Sequence, residues 1–278
     1  MTVTNAVETT MIWGTVSGAS MVGMVISLLL SVVLPIFLGI FIYKKTKAWV
    51  PAFFIGCGIF VGFAMILEQI CHAIVLTVTG SAIRDNIWLY AIYGGLAAAL
   101  FEECGRWIAM KFCLKKHLTR ENALMYGAGH GGIEAFLILG MSSMSNLLTA
   151  AMINGGLMEK TMTALEPAQQ EVTYHQLSVL WTTPAYQFYL APVERISAIA
   201  LQIALSILVY SAVKTGRKLH LAAAFGLHFA VDFLTVVCAS TIPTWALELG
   251  LLMVVAVICV AVYKLSLIHI SEPTRRTP

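Results

Sequence analysis

Seven predominantly apolar runs, each about twenty residues or longer, leave this chain few folds to choose from. They lie at roughly 20–43, 50–79, 87–113, 123–152, 186–213, 219–239 and 244–264. An α-helix rises ~1.5 Å per residue and the hydrocarbon core of a bilayer is ~30 Å thick, so each run is long enough to cross. Composition agrees: 59% of the 278 residues are hydrophobic and 11% charged, against about 45–50% and about 25% in an average soluble domain. With a mean hydropathy of +0.85, the apolar surface is too large for one globular core to hide. The expected fold is all-α, a polytopic transmembrane helical bundle of seven spans, or eight if SSMSN at 142–146 splits the long fourth run. No repeat or linker divides the chain, so residues 1–265 are expected to form a single integral membrane domain.

The ends and the charges add detail. Residues 1–20 hold no lysine or arginine, so the first run reads as a membrane anchor and not as a cleaved leader, which needs a basic start. The segment SLIHISEPTRRTP at 266–278 breaks from the hydrophobic pattern and resembles a translated sequencing-adapter read-through, with no structural role expected. Six cysteines sit in apolar runs without C-x-x-C spacing, which reads as buried free thiols. The net charge of +3 is too small to argue for nucleic acid. Its placement says more. Lys44, Lys45, Lys47, Lys111, Lys115, Lys116, Arg120, Lys214, Arg217, Lys218 and Lys264 all fall at one set of span ends, and only Arg84 and Lys160 at the other. Basic residues collect in the cytoplasm, which predicts an outside N-terminus, an inside C-terminus and an outside loop at 155–180.

Ionisable residues inside the spans are the exception that needs explaining, since one at mid-bilayer costs ~3 kcal/mol on insertion scales. FEECGRW in the third run carries Glu102, Glu103 and Arg106. Glu102 and Arg106 stand four apart and are expected to pair, with Glu103 turned about 100° away. GAGHGGIEA in the fourth run puts His130 and Glu134 on one face, among glycines that let another helix approach. LHFAVDF in the sixth does the same with His228 and Asp232. Taken singly, a structural salt bridge or a helix-contact histidine would explain each. Depth argues otherwise: each set lies about ten residues in from its basic end, or roughly 15 Å, so three helices present acid and imidazole at one level. A carboxylate and an imidazole sharing a water can take its proton, and a second imidazole can stabilise the oxyanion that forms. The cavity holding them is expected to open toward the cytoplasm. Glu68 and His72, with Glu194 and Arg195, lie deeper and are expected to form a separate structural ion-pair network.

At FEECGRW, GAGHGGIEA and LHFAVDF, and at VERISA (193–198), the sequence resembles the YhfC family of bacterial membrane proteins, itself similar to the CPBP (CAAX prenyl protease) intramembrane peptidases. The resemblance implies a CAAX-protease-like core and catalytic roles for Glu102, Glu103, His130, His228 and Asp232. It implies that Arg106 orients the glutamates, with Glu134 in support. It also leads one to expect a histidine near Gln202, where this chain has an amide instead. The expected activity is an intramembrane endopeptidase in a bacterial plasma membrane, acting on a membrane protein or a lipidated peptide, with no cofactor. Zinc held by Glu103, His130 and His228 is the alternative, although the chain lacks the H-E-x-x-H that usually carries it. A proton- or cation-coupled transporter and a non-catalytic scaffold are the competing readings; a transporter would show paired repeats, and none is visible.

Overall fold

The computed structural model describes residues 11–271, and among them it contains helices and no strands. Seven helices are long and apolar enough to span a membrane: Gly18–Thr46, Pro51–Thr79, Ile87–Cys113, Arg120–Asn154, Ala185–Thr215, Lys218–Ala239 and Thr244–Ser266. They are called the first to seventh spans below. The fourth is one continuous helix of 35 residues, so SSMSN does not split it. Its irregularity is a π-helical stretch at Phe136–Gly140, one turn ahead of that motif. The seventh helix runs on to Ser271; the rest of the expected read-through segment and residues 1–10 lie outside the described residues.

Local chemistry places the helix ends. Asn86 and Thr119 cap the third and fourth spans, their side chains accepting from Leu89 N and Asn122 N, both at 3.2 Å, as short polar residues do for the unpaired amides of a first turn. Lys47 and Gly216 end the first and fifth spans in the left-handed conformation. Large apolar side chains such as Leu29, Phe37, Phe54, Ile74, Met253 and Val257 stay exposed on the bundle's outside. On a water-soluble protein such a surface would drive association; here it is the face presented to lipid.

The stretch at 155–180 is not a loop. It folds into two helices, Leu157–Met162 and Pro167–Thr182, because apolar and aromatic residues interrupt its polar run. Leu180 joins a small core with Val16, Met24, Ala150 and Ile153. Trp13 meets the rings of Tyr174 and Trp181 at 5.5 and 5.7 Å. Asn154 ties this cap to the segment before the first span, through Val16 N at 2.8 Å and Val16 O at 3.0 Å.

The fifth span is the axis of the bundle. Two-thirds of its apolar stretch is buried, compared with 17–33% for the other six. Glycines let the fourth span sit between its neighbours. A Cβ on Gly129 would lie 1.9 Å from Phe53 O in the second span, and one on Gly56 would lie 2.2 Å from Tyr126 O. On the opposite face, a Cβ on Gly127 would lie 2.7 Å from Ile203 Cα of the fifth span. Only bare backbone permits these approaches, as at small-residue contacts between membrane helices. They fix His130 between the second and fifth spans.

Packing is uneven along the bundle. In the half bearing the basic helix ends, Ile42, Ala52, Met110, Leu114, Tyr126, Leu205 and Leu208 form a continuous buried core. The other half is hollowed by a cavity of about 560 Å³.

Candidate active site

Three motif-bearing spans and the fifth converge on one network of buried polar side chains. His130 is fully buried, and its Nε2 lies 2.9 Å from Glu102 Oε2. The carboxylate can only accept, which puts the ring proton on Nε2. The other ring nitrogen faces Tyr126 Oη at 3.5 Å, and Phe60 packs edge-on against the ring at 5.2 Å. From the sixth span, His228 Nδ1 lies 2.9 Å from Glu103 Oε1, while its Nε2 faces Asp232 Oδ2 at 3.5 Å and Glu102 Oε1 at 4.0 Å.

The arginine reaches Glu102, as the spacing leads one to expect, but it lies closer still to Glu103. Its close partner is Glu103, three residues back, with Nη1 at 2.5 Å from Oε1; Glu102 is 3.9 Å from Nη2. Gln202 explains the preference. Its amide oxygen accepts from Arg106 Nη2, and its Nε2 donates to Glu102 Oε2 at 2.9 Å and to Glu134 Oε2 at 2.7 Å. The inner oxygen of Glu102 is thereby held by His130 and Gln202 together. Glu134 bonds Gln202 and Arg195, the latter at 3.2 Å, and not His130, despite the shared helix face.

The deeper polar residues are not the separate network expected. Glu68 pairs with His72 at 3.2 Å, and His72 with Tyr93 at 2.7 Å. Arg195 pairs with Glu194 and Glu134. Among the described residues no ion pair joins the two sets. Instead both line the same cavity as Glu102, Glu134, Gln202, His228 and Asp232. Arg195 turns toward the site because Glu134, one turn beyond His130, offers a second buried carboxylate that must be compensated. His130 and Glu103 do not line this cavity.

The cavity also faces the other way. Its walls are Ala64 to Leu76 of the second span, Tyr90 to Glu102 of the third and His228 to Val236 of the sixth. All of these run from the level of the site toward the span ends that lack basic residues. The packed core fills the basic half on the Glu102 side, where the cavity is expected to open, and an apolar groove there reaches only Glu103. Counting residues along each helix gives depth, but not on which side of that depth the helices splay.

Two features were only partly visible in sequence. Gln202 stands out as an amide where a histidine is expected, but its bonds to Arg106, Glu102 and Glu134 are not visible there. Each π-helical stretch adjoins a site residue: Val61–Glu68 ends on Glu68, Ala109–Cys113 begins three residues after Arg106, and Phe136–Gly140 begins two after Glu134. Such distortions are common beside functional sites, but a periodic hydrophobic pattern does not reveal them.

Among the described residues no three His, Cys, Asp or Glu side chains converge on a point that could hold a metal ion. His130 Nε2 and His228 Nδ1 are each spent on a carboxylate, and the Arg106 guanidinium already lies against Glu103. Glu103 bonds His228 while His130 bonds Glu102, so Glu103, His130 and His228 do not form a common set. As they are paired here, Glu103, His130 and His228 do not fit a zinc site.

Comparison with known proteins bears on the whole span bundle. The family model described as "YhfC intramembrane metalloprotease" matches residues 30–259. The uncharacterized membrane protein YhfC of Bacillus subtilis (strain 168) is 41% identical over 222 residues, covering 77% of this chain and 83% of the relative. No solved structure matches.

Proposed function

The chain belongs to the YhfC family, and from that premise and the geometry of the site we propose that it is an intramembrane endopeptidase using glutamate- and histidine-activated water, similar in type to the CAAX-protease-like enzymes. The carrying observation is the free outer oxygen of Glu102. Its Oε2 is taken by His130 and Gln202, whereas Oε1 faces only His228 Nε2, across 4.0 Å, at the cavity wall. A gap of that size between two polar groups is the size a bridging water fills.

Glu102 Oε1 takes a proton from this water as its oxygen attacks the substrate carbonyl carbon. As imidazolium, His228 donates from Nδ1 to Glu103 and from Nε2 to the oxyanion. Asp232, 3.5 Å from the same Nε2, stabilises the imidazolium by its charge. The proton on Glu102 then passes to the leaving nitrogen as the C–N bond breaks. His130, Gln202 and Arg106 keep the carboxylates in place and touch no reacting atom. A permeation pathway would have to continue past Glu102 into the basic half, and there Met110, Leu114, Tyr126 and Leu205 are buried.

Two tests follow. Membrane proteomes of cells expressing the native chain or Glu102→Gln should differ in at least one membrane-embedded or lipidated protein, shortened only with the native chain. Identical proteomes would remove the peptidase reading. Cleavage of that substrate by the purified protein should also persist in a strong chelator. Loss of activity restored by zinc alone would recast the histidines and glutamates as ligands, in accord with the family's description.

A further inference from the structure

We infer that the scissile bond reaches Glu102 from the extracytoplasmic half of the membrane, so that the substrates are membrane proteins whose cleavage site lies in that half. The inference rests on the peptidase reading for the word substrate, and on the cavity and the charge map for the direction.

Three observations carry it. First, every span that lines the cavity does so on the side of the site away from its basic end. The third span contributes Tyr90, Tyr93 and Ala98 but nothing beyond Glu102, and the sixth contributes Asp232 and Thr235 but nothing before His228. Second, the route from the basic side is blocked. Arg106, Met110, Tyr126 and Leu205 are all buried to within 1% of completely, and side chains packed at that density leave no passage for a peptide. Third, eleven basic residues mark the closed side and two the open side. Positive charge is retained in the cytoplasm, so the open side is the outer one.

A second opening does not change this. An apolar groove of about 510 Å³ lies between the third and sixth spans in the basic half, lined by Cys104, Trp107, Leu221, Ala222 and Phe225. It reaches Glu103, whose Oε1 is occupied by Arg106 and His228 and whose Oε2 is buried without a partner, and its lining does not include Glu102, where the water is placed. The cavity itself carries Glu68, Glu194 and Asp232 with Arg195 as its one arginine or lysine. A small cationic reagent is therefore drawn in, which makes access measurable without knowing the substrate.

The experiment places single cysteines at Ala98→Cys and Thr235→Cys in an otherwise cysteine-free chain. Neither residue belongs to the proposed machinery. The probe is a membrane-impermeant cationic methanethiosulfonate, applied to intact cells or to inverted membrane vesicles and read by mass spectrometry. Both positions should react at least about tenfold faster from the outer face. Faster reaction in inverted vesicles overturns the inference. Reaction from neither face, with the same cysteines modified by a permeant maleimide, overturns it as well. Labelling does not depend on catalysis. A chain that labels from outside yet cleaves nothing keeps the access route and loses only the peptidase.

Discussion

Glu102→Gln should lower the cleavage rate about 10²- to 10⁴-fold while leaving the fold in place, which is the scale of a lost general base. The amide keeps the shape of the side chain, and its oxygen can still accept from His130 Nε2, now 2.9 Å from Glu102 Oε2. What it cannot do is take a proton from water at the position of Oε1. The loss should therefore fall on kcat, with KM nearly unchanged, because no group that would bind the substrate has been removed. Glu103→Gln makes a useful contrast. Glu103 does not line the cavity, and its Oε1 is shared between Arg106 at 2.5 Å and His228 at 2.9 Å. Its loss should act through the ring of His228 and through the buried arginine, so stability falls together with rate. Removing one partner from a buried pair typically costs ~3–5 kcal/mol. If Glu102→Gln retained native kcat, the water would not be where Glu102 Oε1 and His228 Nε2 place it.

The spans were legible in the sequence because the bilayer imposes a length and a polarity on every one of them. The fifth was expected at 186–213 and is found at Ala185–Thr215. The meeting of Glu102, His130 and His228 also followed from counting, since helices of fixed rise entering from basic ends put equal counts at equal depths. What counting cannot supply is the direction a side chain takes once neighbours compete for it. Spacing puts Arg106 beside Glu102, and it lies 3.9 Å away, but Gln202 and His130 hold Glu102 and leave Glu103 as the closer carboxylate. In sequence the helices at 157–182 look like a loop because their polar residues hide the positions that meet Trp13 and Val16. The facing of the cavity needed three dimensions, since it depends on where the spans separate and not on what they contain.

The second large effect is expected at Gln202, and the direction of its hydrogen bonds says why. Arg106 has only donors, so the Gln202 atom it meets must be the amide oxygen; this turns the NH₂ group toward Glu102 and Glu134. Both of its protons are used, one on each carboxylate, and the side chain is only 3% exposed. Gln202→Glu keeps the shape and the acceptor for Arg106 but removes both donors and adds a carboxylate beside two others. Glu102 Oε2 then loses one of its two close partners, and kcat should fall about 10²- to 10³-fold, as when one preorganised donor is removed from an active site. A structural explanation would predict the same loss, so a second variant is needed. Adding Glu134→Gln to Gln202→Glu restores an amide–carboxylate bond between positions 134 and 202 and returns the number of carboxylates to its native value. The double variant should recover most of the melting temperature that Gln202→Glu loses in detergent, because the number of buried carboxylates is native again, while the Arg195–Glu134 pair stays broken. It should not recover kcat, because the amide now at 134 is not the one that faces Glu102. Full recovery of the rate would show that Glu102 does not need the proton Gln202 gives it.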